Sequence, residues 1–152
     1  MPRKRVLVFE DNAIVRSTLK QVLDQLGFDV LAFPEPGFCP LYDLEKCMCP
    51  PEHACSDIII SDIDMPGVSG IEFVADQIRK GCKVKHIALM SGGWSVGYLR
   101  QANSLGCKTF SKPFNLEDLK KWLEECDKRI EPVAKLHNWF DKHPPAAGKS
   151  CK

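Results

Sequence analysis

The chain lacks any long apolar run. Its longest, such as Val6–Phe9, extend about four residues, where a membrane-spanning helix needs about 20. No membrane span is expected. It also lacks an excess of charge of either sign: 21 Lys and Arg against 20 Asp and Glu leave a net charge of +1. That argues against an extended nucleic-acid-binding surface. The basic opening Met1-Pro-Arg-Lys-Arg is followed by apolar residues only as far as Phe9, and Glu10 ends the run too early for a secretion signal. A cytoplasmic protein with no membrane or nucleic-acid partner is the expectation. His53, His86, His137 and His143 do not cluster in the sequence, and no internal repeat is visible.

What is present is an ordinary globular balance, 44% hydrophobic and 27% charged residues in 152, which allows one domain with a short extension. Cysteine is the exception. There are eight, and without a secretion signal they are expected to stay reduced, bind metal or do redox chemistry rather than build a disulfide scaffold. Cys39, Cys47, Cys49 and Cys55 crowd into 17 residues, while Cys82, Cys107, Cys126 and Cys151 are scattered. Cys82, Cys107 and Cys126 read as small core hydrophobes.

The hydrophobic pattern alternates between two periods. Short continuous runs occur at Val6–Phe9, Val30–Phe33, Ile58–Ile60 and Ile87–Met90, with a weak one around Phe110. Continuous rather than alternating runs suggest strands buried on both faces of a parallel sheet. Helical stripes lie between them: Val15, Leu19, Val22 and Leu26 before Gly27; Ile71, Val74 and Ile78 before Gly81; Leu99, Ala102 and Leu105 before Gly106; and Leu116, Leu119, Leu123, Cys126 and Ile130. Strands alternating with helices imply an α/β doubly wound sheet with helices on both faces. One unit is irregular. Residues 34–56 hold five prolines and the cysteine cluster, so a Cys- and Pro-rich insertion between strands 2 and 3 is expected to replace or shorten the second helix, near Leu41–Glu45. The domain is read as 1–130. Pro132 ends the last helix, and 131–152 is read as an extension, a short helix and then a flexible tail.

In open parallel sheets the active groups gather at the carboxyl ends of the strands. Those ends carry Glu10-Asp11 after the first strand, Asp62 and Asp64 after the third, Ser91-Gly92 after the fourth and Lys112-Pro113-Phe114 after the fifth. Clustered carboxylates raise one another's pKa, and a hard divalent cation relieves that cost. Oxygen-only ligands favour Mg²⁺. A plainer reading has Glu10 and Asp11 merely capping the first helix, but capping does not account for Asp62, Ser91 and Lys112.

With these motifs the chain resembles the receiver domain of bacterial two-component response regulators, of the stand-alone CheY-like kind. The carrying residues are Glu10-Asp11, Asp62-Ile-Asp-Met-Pro-Gly-Val-Ser-Gly70, Ser91-Gly92 and Lys112-Pro-Phe114, in order over residues 4 to about 130. The resemblance implies a flavodoxin-like sheet of five parallel strands in the order 2-1-3-4-5. It implies a phosphoacceptor, not an enzyme acting on other substrates. Asp62 would take a phosphoryl group from the phosphohistidine of a sensor histidine kinase or phosphotransfer protein. Asp11, Asp62 and the backbone carbonyl of Asp64 would ligate Mg²⁺, with Glu10 acting through a water. Lys112 and Ser91 would hold phosphoryl oxygens, with the N–H groups of Ile63 and Gly92 as further donors, and a cis bond before Pro113 would aim Lys112 inward. Phosphorylation would draw Ser91 inward as a two-state switch toward an unknown downstream protein. The family's switch aromatic falls on Thr109 here, with Phe110 beside it.

Alternatives stand beside this reading. Cys39, Cys47, Cys49 and Cys55, or three of them with His53, suffice for a structural zinc site; disulfides and free thiols are the other fates. A pseudo-receiver sensing metal or redox through those cysteines is the rival binding module. An Asp-dependent phosphatase, suggested by Asp62-x-Asp64, is the rival enzyme. Trp94 reads as the start of a helix or as packing over the rim of the site. Trp122, Trp139 and Phe140 read as tail packing or as part of a docking face. A homodimer through the helix after Ser91, the fifth strand and the last helix is the corresponding expectation.

Overall fold

The computed structural model describes residues 4–35, 56–65, 67–82 and 84–130. Five strands alternate with helices: β1 (Arg5–Phe9), α1 (Ala13–Gln25), β2 (Asp29–Phe33), β3 (Ile58–Asp62), α2 (Gly70–Arg79), β4 (His86–Ser91), α3 (Val96–Ser104), β5 (Lys108–Ser111) and α4 (Leu116–Arg129). The sheet is wholly parallel with the order β2-β1-β3-β4-β5. This is the expected flavodoxin-like fold.

The continuous apolar runs follow from burial on both faces. Successive side chains of a strand point to opposite faces. Leu7, Phe9, Ile59, Ile87 and Leu89 therefore join one core with Ile71, Phe73 and Val74 of α2 and Ala102 of α3. Val6, Val8, Ile58, Ile60, Ala88 and Met90 join the other with Leu19 and Leu23 of α1 and Leu119 and Leu123 of α4. The one stretch of weak pattern, β5, is one edge of the sheet, and only Phe110 of its four residues is buried.

Helix ends follow local chemistry. Asn12 caps α1, its Oδ1 accepting from the N–H groups of Ile14 and Val15 at 2.9 and 3.1 Å. Gly27 ends the helix with φ +94°, a conformation that other residues enter only with strain.

The expected second helix at Leu41–Glu45, nearly all of the 34–56 insertion and the extension 131–152 lie outside the described residues. No described helix is long and apolar enough to cross a membrane.

Candidate functional site

The carboxyl ends of β1, β3, β4 and β5 converge because the ladder fixes each of them. Glu10 N–H donates to Phe33 O at 3.0 Å, Ile63 N–H to Met90 O at 2.9 Å and Lys112 N–H to Ser91 O at 2.8 Å. Each functional residue thus sits beside the last rung of a strand pair. Gly70 closes the back of the site. Its N–H donates to Ile63 O at 2.9 Å, and a β-carbon there would collide with the Asp62 carbonyl.

Glu10, Asp11 and Asp62 come together: one carboxylate oxygen from each lies within 4.8 Å of the others. Glu10 is fully buried and Asp62 is 2% exposed, while Asp11 stands at the open mouth. Lys112 Nζ reaches Glu10 Oε1 at 2.5 Å and Asp62 Oδ2 at 3.1 Å. Asp64 contributes its backbone N–H to Asp62 Oδ1 at 3.2 Å; its side chain is exposed and outside the acid cluster. The Lys112–Pro113 bond is cis, as expected.

Among the described residues one ammonium, paired with Glu10 and Asp62, stands at a cluster of three carboxylates, and the titration follows from that imbalance. Burial, and then the neighbouring Asp62, push the Glu10 carboxyl up to about 8 against the pull of Lys112. Asp11 is also raised, by burial and by Asp62. Burial opposes ionisation of Asp62, but donation from Glu10 and Lys112 and the Lys112 charge outweigh it and hold Asp62 below its ordinary value. Lys112 is raised: burial acts against its charge, and Glu10 and Asp62 more than offset that. Without a metal the pocket therefore stores a proton on Glu10 and keeps Asp62 ionised. As a carboxylate, Glu10 leaves Oε2 buried with no hydrogen-bond partner. A hard cation among these oxygens would satisfy that atom and displace the proton, so the residues present fit Mg²⁺. Among the described residues this is the candidate metal cluster, and it holds no cysteine. Cys39, Cys47, Cys49, Cys55 and His53 lie outside the described residues.

Three sequence readings are refined. Asn12, not the acid pair, caps α1, which leaves both acids to the pocket. The Ile63 N–H, expected as a phosphoryl donor, is bound to Met90 because the β3–β4 ladder runs one residue past Asp62. Phe110 is buried in the core shared with α1 and α4, and Thr109 lies half-buried beside it; β5 presents no free aromatic for a switch. One residue went unnoticed in the sequence. Arg16 donates to Glu10 O at 2.8 Å and Asp11 O at 3.4 Å, and its place one turn into α1 was the available signal. Trp94 was noticed without its partner: its indole N–H donates to Phe110 O at 2.9 Å. Ser91 is 2% exposed, and its Oγ accepts from Gly93 N–H at 3.0 Å.

Fold and site together define the class: a flavodoxin-like α/β protein with a carboxylate–lysine pocket at the carboxyl edge of its sheet. A family model described as the response regulator receiver domain matches residues 6–124. The chain belongs to that family, whose members are signalling domains. It is 28% identical over 131 residues to the transcriptional regulatory protein FixJ of Bradyrhizobium diazoefficiens, covering 86% of this chain and 60% of FixJ. It is 32% identical over 124 residues to the probable transcriptional regulator ycf29 of Cyanophora paradoxa, covering 75% of this chain and 51% of ycf29. The chain thus spans between half and two thirds of the length of these relatives. The crystal structure of a response regulator receiver protein from Pseudomonas putida superposes with a TM-score of 0.69 at 23% identity, covering 82% of this chain and 98% of that one.

Proposed function

We propose that Asp62 is a phosphoacceptor in a two-component signalling system. The ionised Asp62 oxygen attacks the phosphorus of a phosphohistidine on a sensor kinase or phosphotransfer protein. A P–O bond forms, the P–N bond breaks, and its electron pair returns to the donor's imidazole nitrogen. The product is an acyl phosphate on Asp62. Asp11, Asp62 and the Asp64 backbone carbonyl would hold Mg²⁺, with Glu10 acting through a water. When bound, the ion neutralises charge on the equatorial oxygens. Lys112 leaves its bridge between Glu10 and Asp62 to pair with one phosphoryl oxygen. Ser91 donates its hydroxyl proton to another, and Gly92 N–H is a further donor.

The observation that carries this reading is geometric: buried Glu10 and Asp62 converge with Asp11 at the strand ends, and Lys112 reaches both buried acids; the lowered value of Asp62 supports it. The phosphatase reading has no such support, since the second acid of Asp62-x-Asp64 is exposed and takes no part in the cluster. Exposing the chain to a small acyl phosphate with and without Mg²⁺, followed by intact-mass spectrometry, tests the proposal. One phosphoryl adduct that needs Mg²⁺ and disappears in Asp62→Asn is expected. An unmodified chain, or an adduct retained by Asp62→Asn, overturns it.

The output is a protein contact. β5 and α4 frame a groove of about 510 Å³ lined by Lys108, Phe110, Asp118, Lys121 and Trp122, among others. This groove belongs to the face on which a homodimer or downstream target was expected.

A further inference from the structure

The groove lies on the edge strand, and the acids lie at the strand ends. What joins them is visible at Trp94. Ser91 Oγ accepts from Gly93 N–H at 3.0 Å, so the hydroxyl holds the turn that leads to Trp94. The Trp94 indole reaches across to β5 and donates to Phe110 O at 2.9 Å, over 16 positions of sequence. The indole is also packed against the core shared with α2 and α3. Phe110 continues the chain of contacts. Its ring lies in the opposite core and meets the ring of Trp122 edge-on, with centroids 5.9 Å apart at 76°. Trp122 and Phe110 both line the groove.

The turn between these anchors is held by the Ser91 hydroxyl and carries no side chains. Neither Gly92 nor Gly93 has positive φ, and a β-carbon on either would meet nothing within 4 Å. Backbone strain and packing therefore do not demand glycine at these positions. Two adjacent residues without side chains leave the segment between Ser91 and Trp94 free to shift. When Ser91 turns its hydroxyl toward an anion on Asp62, the Gly93 N–H loses its acceptor, Ser91 Oγ. The displacement then passes to the next residue that is fixed on both sides, Trp94.

We propose that Trp94 is the positioning residue that couples Ser91 to the β5 edge, so that the indole–Phe110 hydrogen bond carries the state of the acidic pocket to the groove beside Trp122. The proposal rests on the phosphoacceptor reading of Asp62. It assigns the coupling to an aromatic on the loop after β4, while the aromatic on β5 stays in the core. A contiguous set of contacts is by itself only a candidate route, and coupling has to be measured as non-additivity.

The test uses the full chain with beryllofluoride and Mg²⁺, the fluoride standing in for the acyl phosphate. Amide hydrogen exchange at Lys108–Ser111 is followed in the unaltered chain, in Trp94→Phe, in Ser91→Ala and in the double variant. Trp94→Phe keeps a ring but removes the N–H donor. Beryllofluoride is expected to change exchange at β5 by about fivefold or more in the unaltered chain. Trp94→Phe should bind the probe within about twofold of the unaltered chain yet lose most of that response, and adding Ser91→Ala should produce little further loss. The Trp94 indole N–H resonance of the unaltered chain should shift on addition of the probe, which needs no variant to fold. A full β5 response in Trp94→Phe, or an unmoved indole resonance with the probe bound, overturns the coupling alone. Absence of probe binding by the unaltered chain overturns the phosphoacceptor reading and the coupling with it.

Discussion

Gly70 approaches Asp62 so closely that a methyl group in place of its α-hydrogen would overlap the Asp62 carbonyl oxygen. Gly70 opens α2, and its N–H donates to Ile63 O at 2.9 Å, so neither β3 nor the helix can retreat without breaking the segment that presents Asp62. Gly70→Ala is therefore expected to cost about 1–3 kcal/mol or more. Thermal melts should show the loss, and intact-mass measurements should show slower Asp62 modification in whatever fraction remains folded. An unchanged melting temperature would mean that the close approach is relieved cheaply.

Among the described residues Lys112 is the one cation that reaches both buried acids, Glu10 and Asp62. Lys112→Met removes it while keeping the apolar stem. The metal-free chain is expected to lose about 1–3 kcal/mol, less than for a wholly buried pair because the Lys112 side chain is 23% exposed and Glu10 can hold a proton. Added Mg²⁺ should restore part of this, since it supplies the missing positive charge. Phosphoryl transfer should fall much further than stability does, and a phosphorylation time course set beside a melt separates the two.

The sheet was legible in the sequence because each of its inner strands is pressed between two helical layers. Val6 and Val8 face one layer, Leu7 and Phe9 the other, so the run has no polar gap. β5 was faint because this edge strand buries one residue, Phe110, and leaves Lys108 and Ser111 to solvent, whereas the other edge, β2, buries three. The acidic pocket was legible because its members each end or directly follow a strand. Arg16 was not, since its role runs through a guanidinium reaching back to main-chain carbonyls, which no spacing of acids announces. The Trp94 contact was hidden for a similar reason: its acceptor is a backbone oxygen, and any residue at 110 would supply one.

Arg16 fixes the turn that carries two of the three acids by donating to the carbonyls of Glu10 and Asp11. Arg16→Ala should leave the core intact, because the residue belongs to neither apolar cluster. Supporting contacts of this kind are worth about tenfold or more in metal affinity. Calorimetric titration with Mg²⁺ should show that weakening with little change in melting temperature. Arg16→Lys should recover part of it through a single ammonium.

Burial pushes the thiols of Cys107 and Cys126 up to about 11. At pH 8 only about one in a thousand of each would be a thiolate. Iodoacetamide should leave both unmodified in the folded chain and label the half-buried Cys82 before either of them. Digestion and mass spectrometry, with a denatured control in which all three react, check the order. Prompt labelling of Cys107 or Cys126 would show that its part of the core opens readily.

Glu10 makes the stability of the metal-free chain depend on pH in an unusual direction for a carboxylate. Its ordinary value is 4.5 and its value in the folded chain is about 8, through burial and then Asp62. Between those values the folded chain holds a proton that the unfolded chain has released. That contribution to stability is complete below about pH 4.5 and is lost as pH rises toward 8. Asp62 acts in the opposite sense, since its value is lowered. Its contribution is lost only as pH falls below its ordinary 3.8, so from about 5 to 8 the large Glu10 shift leads, with the raised Asp11 and Asp57 acting in the same sense and His86, lowered by burial, in the opposite one. Melting temperatures in EDTA should fall across that range, and Glu10→Gln should flatten the profile. Mg²⁺ competes with the same proton. Its affinity should rise with pH by up to about tenfold per unit until Glu10 is ionised, and binding at pH 7 should release close to one proton. Calorimetry in buffers of different ionisation enthalpy measures that proton directly. A pH-independent Mg²⁺ affinity would mean that the ion enters without displacing the proton from Glu10.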